Sequence, residues 1–99
     1  MTDRELLELA AKAAGIYLTI EWLGHEKYKP DWNPLTDDGD ALRLAVQLRI
    51  RMLFPTEIGQ DKVEIYGLNR HTEALFTDPY AATRRAITRA AAEIGRAMP

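Results

Sequence analysis

The chain has 99 residues, 46% of them hydrophobic and 28% charged, with a formal net charge of −2. That is enough for one domain with a modest core, in a composition typical of globular rather than disordered proteins. The absence of cysteine excludes disulfides, thiolate metal sites and cysteine nucleophiles. The absence of serine leaves only threonine or tyrosine as a hydroxyl nucleophile.

Charge is unevenly spread: residues 1–40 hold four Lys/Arg against nine Asp/Glu, and residues 41–99 hold nine against six. Binding by phosphate neutralisation normally needs a positive surplus. The negative total therefore disfavours nucleic acid as a partner of the whole surface, while leaving room for a local basic face. The apolar runs are far too short to span a bilayer, and the acidic opening MTDRELLELAAKAAG lacks the features of a signal peptide. The expectation is a cytoplasmic protein without a membrane partner.

In chain order, Thr2 and Glu5 have the spacing of a capping box. Leu6, Leu9, Ala10, Ala13 and Ala14 then recur at helical spacing up to Gly15, a suitable C-terminal stop. IYLTIEW (16–22) alternates, with Ile16, Leu18, Ile20 and Trp22 on one side, and predicts a strand. A polar connection with two prolines follows, carrying His25, Tyr28 and Trp32. Trp32 is expected to fold back onto the core beside the next helix, while Tyr28 is a candidate for partner contact.

TDDGDA (36–41) starts the second helix. Thr36 is its expected cap, Asp37, Asp38 and Asp40 lie at the positive end of the helix dipole, and Leu42, Ala45 and Val46 form its apolar stripe. From residue 48 the period changes to two. LRIRMLF places Ile50, Met52 and Phe54 on one face, with Arg49 and Arg51 on the other. KVEIY (62–66) repeats the pattern, so an antiparallel hairpin is expected, with Arg49 or Arg51 across from Glu64. EALF (73–76) is a further short edge strand. Asp78-Pro79 opens the last helix with a cap and a first-turn proline. At 100° per residue, Tyr80, Ile87, Ala90, Ala91, Ile94 and Met98 share one side, and Arg85, Arg89 and Arg96 gather opposite.

Three amphipathic helices and a few short strands predict an α+β fold: a small, largely antiparallel sheet of three to four strands between helical layers, in one domain over 1–99. Within it, catalytic and metal chemistry find little support. Asp37, Asp38 and Asp40 are read as a helix start, since a calcium-loop pattern begun at Asp31 fails at Leu35 and Thr36. His25 and His71 are far apart in sequence and fall in expected loops, and no glycine-rich phosphate loop occurs. No cofactor is expected. The arginine face of the last helix, Arg85, Arg89 and Arg96, is the best positive feature, either as a solvated face or as a binding surface.

Two blocks, DWNPLTDDGDALRLAV (31–46) and DPYAATRRAITRAAAEIGRAM (78–98), together with the opening TDRELLELAAKAAG, resemble the small bacteriophage and prophage proteins of the phage ABA sandwich domain family. The resemblance implies an α/β/α sandwich expressed inside a bacterial host, and brings no activity, ligand or catalytic residue with it. The expected function is therefore that of a non-enzymatic phage accessory protein. It would bind a host or phage protein, or itself as a homodimer, with Arg85, Arg89, Arg96 and Tyr28 as candidate contacts. The alternative is a nucleic-acid-associated protein that uses the arginine face.

Overall fold

A computed structural model of the protein describes residues 1–18, 29–56, 61–75 and 77–99. Among these residues, three helices, α1 (Asp3–Ala14), α2 (Asp38–Leu48) and α3 (Pro79–Ala97), accompany three strands, β1 (Arg51–Leu53), β2 (Lys62–Tyr66) and β3 (Arg70–Ala74). The strands form one antiparallel sheet in the order β1-β2-β3. The α+β class, the three helices and the small antiparallel sheet are those expected from the sequence. No helix among the described residues is long and apolar enough to cross a membrane.

The capping chemistry explains where each helix begins. Thr2 and Glu5 form the expected reciprocal box, and the Thr2 hydroxyl and amide hold the Glu5 carboxyl below its ordinary pKa. Asp78 accepts from the amides of Tyr80 and Ala81 at the start of α3. At α2 the cap is Asp37, one residue later than the expected Thr36: its carboxylate accepts from the Asp40 amide at 2.8 Å. A shorter, charged acceptor at the right register outcompetes the hydroxyl. Asp37→Ala is therefore expected to cost about 1 kcal/mol. In the same thermal melts, Thr36→Ala should stay within about 0.5 kcal/mol of the parent; equal losses from the two changes would contradict the assignment.

Two helices end alike. Gly15 takes a left-handed conformation (φ 71°), and the Ile16 amide donates back to Ala11. At α2, Arg49 adopts φ 56° while the Ile50 amide reaches Ala45. Each places an isoleucine just beyond the stop, where its side chain joins the core. Residues 48 and 49, expected in a strand, thus belong to the end of α2. The expected strand 16–22 is described only as far as Leu18, where the Tyr17 carbonyl accepts from the Lys29 amide. The third strand begins at Arg70, three residues before the expected 73, and takes in His71. Phe76 lies outside the described residues.

Register corrects one expected pairing. Met52 sits opposite Ile65 and Leu53 opposite Glu64, which places Arg51 opposite Tyr66. The Arg51 guanidinium lies 4.5 Å from the Tyr66 ring centre, a cation–π contact in place of the expected pair with Glu64. Glu64 instead accepts from the Tyr66 hydroxyl at 2.8 Å and lies near Arg70.

α3 packs against β2 and β3 of the sheet and against α1 and α2, and residues from most of its circumference, from Ala86 to Gly95, are buried. Most are alanine, and small side chains let a helix approach neighbours on several sides without leaving voids. Val63 and Ile65 of β2 are fully buried in this core, while Lys62, Glu64 and Tyr66 occupy the opposite face of the sheet. α3 is thus the element that joins the sheet to α1 and α2.

Candidate functional site

α3 is fixed in place by its own arginines. Arg84, mostly buried, donates to the Leu35 carbonyl at 2.9 Å and to Asp38 at 2.7 Å, tying α3 to the start of α2. Arg85 pairs with Asp3 of α1 at 3.0 Å. Arg89 pairs with Glu73 and also donates to the Thr72 carbonyl on β3. Arg96 points a guanidinium nitrogen at the Met1 sulfur, 3.6 Å away. The candidate face made of Arg85, Arg89 and Arg96 is thus divided among two different neighbours, α1's N-terminal segment and β3. Glu93, four residues after Arg89, accepts from Asn69 at 2.6 Å and lies 3.2 Å from His71 Nε2. His71 Nε2 is buried and has no hydrogen-bond partner among the described residues.

The acidic cluster is also accounted for. Asp37 caps α2 and Asp38 holds Arg84. Asp40 accepts from the Asn33 amide at 2.9 Å and from Arg43 at 2.8 Å. His71 meets α3 at Glu93 and the acidic cluster meets it at Arg84, nine residues or about 14 Å apart along the helix axis. The two do not form one constellation. Trp32 is buried in the core as expected. His25, Trp22 and Tyr28 lie outside the described residues.

What the fold brings together is apolar. Between α2, the first turns of α3, β1 and the segment after β3 lies a groove of about 420 Å³. It is lined by Leu42, Met52, Phe54, Leu75, Tyr80 and Ile87 among others. Leu42 is 57% exposed, Phe54 52% and Tyr80 70%; Val46, one turn along α2 from Leu42, is 69% exposed. The sequence places Leu42 and Val46 on the expected apolar stripe of α2, Phe54 on one face with Ile50 and Met52, and Tyr80 on one side of the last helix with Ile87. On α2, the buried set is Ala41, Leu44 and Ala45 with Leu48 against them, a full i, i+3, i+4, i+7 stripe. Leu42 and Val46 form a second apolar row beside it. Phe54 lies one residue past the end of β1, and Tyr80 lies in the first turn of α3 before the helix reaches the core. The signal in the sequence was an excess: α2 carries more large apolar side chains than one buried stripe uses.

The chain matches no family model, no curated protein and no solved structure. Its resemblance to the phage ABA sandwich family therefore rests on the two sequence blocks and the opening segment alone. What the site can do follows from its chemistry. Exposed aromatic and aliphatic side chains around a concavity are the usual composition of a protein-binding surface. The exposed carboxylates Asp37, Asp38 and Asp78 stand at the starts of the two helices that border the groove.

Proposed function

We propose that the protein is a non-enzymatic, phage- or prophage-encoded accessory protein of the bacterial cytoplasm that acts by binding another protein. The observation that carries this reading is the groove and its exposed Leu42, Phe54 and Tyr80. Isolated exposed apolar residues are ordinary, whereas a contiguous set lining a concavity is costly to leave in water. The fitting partner is a host or phage protein segment with large apolar side chains to enter the groove and basic residues nearby to meet Asp37 and Asp78. The nucleic-acid alternative loses ground because Arg84, Arg85 and Arg89 are each paired with a carboxylate of the same chain, which reduces their attraction for phosphate.

The test is a tagged pull-down from host lysate, with and without nuclease, comparing the parent with Phe54→Glu and Tyr80→Glu. Both sites are more than half exposed, so folding should survive, and circular dichroism would confirm it. The expected result is a protein band that persists after nuclease and falls at least tenfold with either variant, equivalent to about 1.4 kcal/mol or more of binding free energy. A band unchanged by both variants would remove the groove from the interface. Capture that disappears with nuclease would support the nucleic-acid reading instead.

A further inference from the structure

The outward side of α2 has a pattern that the groove by itself does not require. At 100° per residue, Asp38, Leu42, Val46 and Arg49 fall within an arc of about 80°. An acid stands at the start of this row, two exposed apolar residues occupy its middle, and a cation stands at its end. Asp38 uses Oδ1 to hold Arg84 and remains 72% exposed, so Oδ2 is available as an acceptor. Arg49 is exposed at the left-handed C-cap and has no carboxylate partner among the described residues.

Such a row is complementary to itself when reversed. A two-fold axis passing near residue 44 and perpendicular to the helix would bring α2 of one copy antiparallel to α2 of another. Leu42 then meets the second copy's Val46, and the reverse contact forms by symmetry. The same operation sets Asp38 beside the second copy's Arg49, again twice. A two-fold interface requires this of a surface: what lies before the axis must suit what lies after it. Opposite charges at the ends of the row fix the antiparallel direction, because a parallel pairing would set acid against acid and cation against cation.

We infer that the chain forms a two-fold dimer through α2, with Leu42 and Val46 at its centre and Asp38–Arg49 pairs at its two ends. This inference rests on the reading of this face as a protein-binding surface, and it names a second copy as the occupant of the α2 side. Leu42 belongs both to the row and to the groove, so the dimer places each groove immediately beside the interface. Phe54 and Tyr80 lie outside the α2 row and remain for the other partner.

The test is sedimentation or light scattering over a wide concentration range, with Val46→Glu as the principal variant. The parent should reach twice the 11.2 kDa chain mass, and Val46→Glu should remain a monomer with the parent's circular dichroism spectrum. A parent that stays monomeric at millimolar concentration would overturn the proposal. So would a dimer that Val46→Glu leaves unchanged. Because the chain has no cysteine, introduced thiols give an independent measure. Leu42→Cys mixed with Val46→Cys should form a mixed disulfide on mild oxidation, whereas Arg4→Cys on the exposed side of α1 should not. Equal cross-linking in the two experiments would also overturn it. The partner reading is tested separately by Phe54→Glu and Tyr80→Glu: loss of capture by these variants from a strictly monomeric parent would keep that reading and remove only the dimer.

Discussion

Gly95→Ala is expected to destabilise the protein by roughly 3 kcal/mol, the upper part of the range for overpacking a close contact. Gly95 is buried on α3 where the helix packs against α1. A Cβ added there would fall within 2.8 Å of the Leu9 carbonyl carbon, closer still to its oxygen, and 3.4 Å from the Ala13 amide nitrogen. The obstacle is backbone, which no side-chain rotation can clear, so the two helices would have to separate. Contacts of Arg85 with Asp3, Gly95 with Leu9 and the Met98 carbonyl with Lys12 occur in the same order along both helices, which therefore run side by side. Separating them would loosen Ala10, Ala14, Ala91 and Ala92 as well, all buried.

Intrinsic propensity pulls the other way, since alanine in a helix interior is favoured over glycine by about 1 kcal/mol. The sign of the measured change therefore decides whether packing or propensity governs this position. For a domain of this size the loss corresponds to a drop in Tm of about 12–24 °C, against a total stability of about 5–15 kcal/mol. A Tm equal to or above the parent's would show that α1 and α3 do not approach as closely as described.

Ile65→Ala is expected to cost about 2–5 kcal/mol. Ile65 lies on the central strand, fully buried, opposite Met52 on one side and His71 on the other. Its side chain fills the space between the sheet and α3, and a cavity there is bordered by a strand paired along both edges, which cannot shift inward without breaking its ladders. The loss should thus fall at the high end of that range rather than be relieved by relaxation. Lys62→Ala, on the same strand but with its side chain on the opposite, exposed face, should change stability by no more than about 0.5 kcal/mol. Chemical denaturation of the two variants beside the parent would check both values. A small loss at Ile65 would mean that the sheet does not pack on α3 through this residue.

The outcome at α2 shows how far local pattern reaches. Its existence, its acidic start and its place after the proline-containing connection were legible because they depend on residues a few positions apart: a cap meets its amide within one turn. The capping box of α1, its Gly15 stop and the Asp78-Pro79 opening of α3 were readable for the same reason. The alternation of β2 was equally plain, since neighbouring residues of a strand face opposite sides of the sheet.

Local pattern misjudged which apolar row on α2 is buried: of the expected stripe Leu42, Ala45 and Val46, only Ala45 belongs to the buried set. Ala41, Leu44 and Ala45 face inward, while Leu42 and Val46 remain exposed, because the docking of α2 on its neighbours sets which row is covered. The arginines of α3 were similarly ambiguous. Their spacing placed Arg85, Arg89 and Arg96 on one face, but only the folded chain sets Asp3 and Glu73, far away in sequence, beside two of them. Gly95 stands among alanines that look interchangeable with it, and its necessity depends on the backbone of α1 across the interface. The sequence by itself therefore determined the helices, the caps of α1 and α3, the alternation of the central strand and the α+β class, all products of short-range chemistry. The tertiary structure alone decided the internal pairing of α3's arginines and the exposed groove, because each depends on which distant surfaces come into contact.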